Sequence, residues 1–171
     1  MSLLPDPNEF DSPMIAIRDP LRESMRGLLA PGKRLAYVLA GDAVFTIRSL
    51  STDVRFTFRV QQADGPKPLW FVRLLSGPDN RSDYQYLGIL VPRSPAGYTP
   101  GVTTFFRFVL TAKSRCTLQA PSVRAMSWLV DHFEDARAEV WHEGSCGRCG
   151  RRLTVPESIA SGIGPTCAGR S

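Results

Sequence analysis

Residues 54–60 read VRFTFRV. Val54, Phe56, Phe58 and Val60 alternate with Arg55, Thr57 and Arg59, the period of two that sends one set of side chains into a core and the other into water. A helix would scatter both sets around its axis, so a half-buried strand is expected with arginine on its free face. Immediately upstream, Val44–Arg48 reads as a second strand, and the pair forms a hairpin around Leu50–Asp53. Three more candidates lie downstream, at Leu69–Leu75, Tyr84–Val91 and Thr104–Thr111. They are separated by the turn-rich runs ADGPKP and SGPDNRSD and by the longer RSPAGYTPG. An antiparallel sheet of about five strands is the expected sum.

Outside this block the pattern turns helical. Pro121 suits the first turn of a helix in which Val123, Met126, Leu129, Val130 and Phe133 recur at helical spacing, and this helix is expected to cover the apolar face of the sheet. Ala138–His142 then reads as a short strand leading to the tail. Upstream, Asp19 can cap a helix, Pro20 fits its first turn, and Leu21, Met25, Leu28 and Leu29 fall on one face before Pro31 and Gly32 end it. Arg34–Ala40 is a second short helical or extended piece. Three prolines in the first eighteen residues point to a loosely held arm. The expected organisation is an arm over 1–18, an α+β domain over 19–141 and a zinc-binding module over 142–171.

The chain has 171 residues, 43% hydrophobic and 22% charged, enough for one cored domain and a small appendage. No apolar run approaches the roughly 18 residues of a membrane span, and MSLLPDPNEFDSP lacks the basic and apolar regions of a leader, so a cytoplasmic protein is expected. For a phage-encoded chain that means the cytoplasm of the host. Net charge is +5 and distributed unevenly. Residues 33–118 carry +7, from twelve basic and five acidic side chains, residues 119–144 carry −3 and residues 145–171 carry +3. Two basic regions flanking an acidic one are compatible with attraction to phosphate, and equally with an ordinary solvated surface.

The chemistry is concentrated in WHEGSCGRCGRRLTVPESIASGIGPTCAGRS, residues 141–171. Cys146 and Cys149 stand at C-x-x-C spacing, and Cys167 follows after seventeen more residues. Two thiolates so spaced hold one tetrahedral ion from a tight knuckle, Gly150 permits the turn, and a third thiolate arriving after a hairpin over Arg151–Val155 closes the loop, as in zinc ribbons and treble clefs. A structural zinc ion is the expected cofactor, with a redox-active pair or free thiols as alternatives. For the fourth ligand, His142 is the first candidate; Cys116, His132 or a water could also fill the position. A tail this poor in apolar residues is expected to draw much of its folding free energy from the metal.

The tail motif CGRCGR-x-L-T-x-PESI-x-x-GIGP-x-C resembles an uncharacterised zinc-binding C-terminal module of small bacteriophage and actinobacterial proteins. The preceding AGDAVFTIRS, RFTFRV, SGPDNRSDYQYLG and EVWHEG resemble the region that accompanies it. The resemblance implies a phage or prophage origin and a zinc-bound tail carried by Cys146, Cys149 and Cys167, and implies no activity. Gly162-Ile163-Gly164-Pro165 also looks like the hairpin of helix-hairpin-helix elements, whose glycine amides hold a DNA phosphate. The plainer reading is that these glycines shape the turn carrying Cys167.

Three functions compete. Nucleic-acid binding is suggested by Arg48, Arg55 and Arg59 on one sheet face and by Arg148, Arg151, Arg152 and Arg170 near the zinc, with Tyr84 and Tyr86 available to stack bases. Protein binding, for instance as an inhibitor or modulator of a host enzyme or defence complex, is suggested by the acidic run Asp131, Glu134, Asp135, Glu139 and Glu143. Catalysis has little support: H-E-x-x-H, the deaminase order, G-x-S-x-G and the phosphate-binding loop are all missing, and only two histidines are present. The sequence therefore favours a non-catalytic, zinc-binding, nucleic-acid-binding accessory or regulatory protein.

Overall fold

The structure is a computed structural model that describes residues 27–94, 96, 98–100 and 105–170. The expected N-terminal arm and the first two apolar positions of the Asp19 helix, Leu21 and Met25, lie outside the described residues. The elements run α1 (Pro31–Val38), β1 (Asp42–Ser49), β2 (Arg55–Gln62), β3 (Trp70–Leu75), β4 (Tyr84–Pro92), β5 (Phe106–Val109), α2 (Pro121–Asp131), β6 (Ala138–His142), α3 (Pro156–Ser161) and α4 (Pro165–Ala168). The class is α+β, as the periodicities predict.

The strands form one antiparallel sheet of six in the order β5-β4-β3-β2-β1-β6. Five were expected in the sheet. The sixth is Ala138–His142, which adds to the free edge of β1 with Phe45 opposite His142 and Ile47 opposite Val140. Its small size hides this from a sequence pattern, but Val140 is fully buried and has to join a core.

Alternation places the side chains as expected in the middle of β2, where Phe58 and Val60 are fully buried and Phe56 half-buried. Val54 falls outside the strand and is 47% exposed. Phe45, Ile47, Phe58, Val60, Trp70, Val72, Leu90 and Val140 line the inner face, and Val123, Met126 and Leu129 of α2 complete the same core. Helix α2 packs against β5, which agrees with its expected covering role.

One expectation is overturned upstream. Leu28 and Leu29 are extended rather than helical, and Pro31 opens α1 instead of ending a helix. The Leu29 amide donates to Val140 O at 2.8 Å and His142 N–H donates to Gly27 O at 2.8 Å. This short segment covers the outer edge of β6, where an unpaired strand would otherwise present free backbone groups. Pro31 can sit at the first helical position because the amide it lacks needs no partner there.

Candidate metal centre

The tail begins where β6 hands the chain on at His142. Cys146 N–H donates to Arg151 O at 2.7 Å and Leu153 N–H donates to Gly144 O at 2.7 Å, clamping a knuckle closed by an isolated bridge between Ser145 and Arg152. Gly150 takes the expected left-handed conformation, φ 72°. Helices α3 and α4 then carry the chain back so that Cys167 returns to the knuckle.

The Sγ atoms of Cys146, Cys149 and Cys167 all lie within 4.8 Å of one another. A tetrahedral zinc ion with bonds of about 2.3 Å needs sulfur–sulfur separations of about 3.8 Å, so the three donors are close enough together to hold one soft ion. Cys146 is buried, Cys149 exposed and Cys167 half-buried. Burial pushes the Cys146 thiol up, but amides of Gly164, Arg148 and Cys149 directed at its sulfur outweigh this and bring it down to about 7. The Gly164 amide donates to Cys146 Sγ at 3.3 Å. Cys167 lies above its ordinary value because of its hydrogen bond with Cys149, helped by burial. Preformed amide donors at a buried sulfur favour thiolate, the form that binds metal.

His142 does not join this cluster, which corrects the first candidate for the fourth ligand. Its Nε2–H donates to Ile159 O at 2.6 Å, and its Nδ1 accepts from Gly144 N–H at 2.9 Å. Burial lowers its pKa, opposed by the Ile159 carbonyl. With both ring nitrogens engaged, the neutral imidazole pins β6 to α3, and it lies 5.5 Å, ring to ring, from Tyr37. The spacing to Cys146 was short enough, but the β-register points the ring inward, beneath the tail. The other candidates are also engaged elsewhere. Cys116 packs against the hydrophobic core, and His132 stacks on Trp128 at 4.8 Å with its Nδ1–H donating to Trp128 O.

Tyr37 is the platform on which the tail sits, and no sequence signal marked it. Its hydroxyl donates to Val44 O at 2.8 Å, and its burial raises its pKa out of reach. Gly162, φ 73°, caps α3 in the left-handed conformation with its Cα against the Tyr37 ring, where a Cβ would clash. Gly147 donates to Gly162 O at 2.9 Å and accepts from Asp42 N–H at 2.7 Å, joining knuckle, cap and β1. The GIGP turn is thus the hinge that delivers Cys167. The Gly164 amide serves a thiolate, and α4 spans only four residues, so no helix-hairpin-helix phosphate site is built here.

The arginines fall into two groups. The three predicted on the sheet face are all matched by carboxylates: Arg59 makes a two-pronged contact with Asp42 at 2.9 and 3.0 Å, Arg48 reaches Asp53 at 2.6 Å and Glu139 at 3.3 Å, and Arg55 reaches Asp53 at 3.4 Å. Hydrogen bonding to Asp42 raises the Arg59 pKa further. These residues share one face, as alternation predicted, but their charge is largely cancelled there. In the tail, Arg148 turns back to the carbonyls of Cys167, at 3.3 Å, and Arg170, bracing the C-terminal turn. Arg151 and Arg152 are exposed and make no ion pair among the described residues. With Arg170 and the three cysteines they line a cavity of about 270 Å³ that also meets Ser158 and Thr166.

Three of the five residues of the acidic run are matched in the same way. Asp131 meets Arg93 at 2.5 Å, Asp135 meets Arg137 at 2.7 Å, and Glu139 accepts from Trp141 and Arg48. The Tyr86 hydroxyl bonds with that of Thr111, and the Tyr84 hydroxyl is buried without a hydrogen-bond partner among the described residues. No helix among the described residues is long and apolar enough to cross a membrane.

No curated protein and no solved structure matches the chain. Residues 136–171, the segment from the approach to β6 through the three cysteines, match the model of a family of unknown function, DUF6011.

Proposed function

We propose that the chain is a non-catalytic accessory protein in which a zinc ion, held by Cys146, Cys149 and Cys167, fixes a small basic module that binds the phosphate backbone of nucleic acid. The observation that carries this reading is the contrast among the arginines. Arg151, Arg152 and Arg170 gather beside the thiolates with exposed side chains and no ion pairs among the described residues, while Arg48, Arg55 and Arg59 on the sheet are each matched by a carboxylate. Guanidinium groups held on a rigid rim contact phosphate oxygens bidentately and lose little freedom on doing so. The resemblance of the tail to phage modules supports a phage-type accessory or regulatory protein acting in the host cytoplasm.

Fluorescence anisotropy with labelled single- and double-stranded DNA and RNA at two salt concentrations tests the proposal. Binding is expected to weaken steeply with salt. Replacing both Arg151 and Arg152 with alanine should reduce the salt slope by about two, roughly one for each phosphate that is no longer neutralised. Arg55→Ala should leave the slope unchanged. Affinity that is absent at low salt, or equal in the double variant and the parent, would defeat the reading.

A further inference from the structure

We infer that the fourth coordination position of the ion held by Cys146, Cys149 and Cys167 is left to an external thiolate, which reaches it through the cavity lined by Arg151, Arg152 and Arg170. This rests on the metal reading above and shares its arginines with the nucleic-acid reading.

Among the described residues, the donors near the site are used up. The three cysteines gather alone among the described residues, and both nitrogens of His142 are bonded to backbone groups of Ile159 and Gly144. Moving that ring onto the metal would strip Ile159 O and Gly144 N–H of their partners, leaving two polar groups of the tail unsatisfied. The Gly164 amide meets Cys146 Sγ from the wall of a cavity. All three cysteines border that same cavity, together with Arg151, Arg152 and Arg170. A tetrahedral ion bound there presents its remaining position to that space.

The chemistry of the donors selects the ligand. A divalent ion with three thiolates carries a net charge of −1 and is electron-rich, so it polarises water poorly and prefers another soft donor. A fourth thiolate raises the charge to −2, and the guanidinium groups of Arg151, Arg152 and Arg170 offset that where it forms. The cavity, about 270 Å³ including the place of the ion, leaves room only for a small group. The incoming thiol gives its proton to solvent, its sulfur displaces the water that otherwise fills the position, which leaves to solvent, and no electron changes hands.

The test uses the full chain loaded with cobalt(II), and separately with zinc. Without added thiol, X-ray absorption of the zinc form should show three sulfurs and one light atom, with no outer-shell scattering from imidazole. Titrating the cobalt form with 2-mercaptoethanol should raise the sulfur-to-cobalt charge-transfer absorbance saturably by roughly one third, three thiolates becoming four, with a shift of the d–d bands. The metal should stay with the protein on gel filtration. Imidazole and inorganic phosphate at the same concentration should leave the spectrum unchanged. Imidazole scattering in the thiol-free form, a flat thiol titration, a response to phosphate or imidazole instead, or removal of the metal by the thiol would each overturn the inference while leaving metal binding intact. Failure of either metal to bind would overturn the metal reading itself.

Discussion

Between Asp42 and His142 the chain buries Phe45, Phe58, Val60, Trp70, Val72 and Leu90 almost completely, whereas between Gly144 and Arg170 the buried residues are Cys146, Gly147, Leu153, Ser158 and Gly162. The first set is a hydrophobic core that supplies its own driving force at about 25 cal/mol per Å² of apolar surface removed from water. The second contains one large apolar side chain. What organises it instead is backbone pairing, the Tyr37 platform and three convergent sulfurs, and only the last of these can add free energy on the scale of a folding unit, roughly 10–16 kcal/mol for a structural zinc site. The difference teaches that the two regions should respond to different insults.

Metal loss is the largest of these. Removing the metal with a chelator, or Cys149→Ala, is expected to unfold the tail while the sheet survives. Amide exchange checks this region by region: the amides of Cys146, Leu153 and Cys167, which are hydrogen-bonded in the folded tail, should exchange about a hundredfold faster or more, and those of the β1–β2 ladder should stay protected. Equal loss of protection in both regions would mean that the sheet depends on the metal as well. No loss in either would mean that the tail is held by Tyr37 and backbone pairing alone.

A smaller effect separates the platform from the metal. Gly162→Ala imposes a left-handed conformation on a residue with a Cβ and drives that Cβ into the Tyr37 ring, so the tail should lose about 1–3 kcal/mol with all three thiolates intact. Metal affinity of the variant, measured by competition with a chromophoric chelator, should fall by about ten- to hundredfold, because folding and binding are coupled. Unchanged affinity would separate the docking of the tail from its metal site.

The parts of this architecture that were legible in the sequence are those governed by short-range rules. Alternation over Val54–Val60 marked the second strand and its face, the apolar spacing after Pro121 marked the covering helix, and C-x-x-C with a distant cysteine identified the cluster that the structure brings within 4.8 Å. Most of the misreadings involve partners distant in sequence. Leu28 and Leu29 fit a helical face, but the edge of β6 recruits them as extended chain, because an open strand edge has backbone groups to satisfy. His142 has the spacing of a ligand, but its register opposite Phe45 turns the ring toward Ile159. The sheet arginines share a face as alternation requires, yet Asp42 and Asp53 sit at strand ends whose folding geometry sets the pairing. Nothing in RLAYVL announces that Arg34 is buried, donating to the carbonyls of Leu29, Phe133, Asp135 and Ala138, or that Tyr37 carries the tail.

The smallest expected effect concerns the surface charges of the sheet half. Hydrogen bonds from the exposed Arg137 hold the half-buried Asp135 carboxyl well below the ordinary carboxylate value, at about 2. A folded-state pKa below the unfolded one means that the pair contributes stability above the unfolded value, 3.8, and loses it as pH falls through about 2. The Arg137 side chain is solvated, so screening keeps this contribution slight. Carbon-13 NMR should find Asp135 ionised at pH 3, and Arg137→Ala should return its titration toward 3.8 with little change in thermal stability at neutral pH. The Asp135 backbone carbonyl, which accepts from Arg34 Nη1 at 2.8 Å, is untouched by that substitution. A large loss of stability in Arg137→Ala would mean that the pair positions this carbonyl, and with it the buried Arg34 that ties α1 to the approach to β6. The sheet half would then depend on polar contacts as the tail does, and the contrast between core-driven and metal-driven regions would narrow.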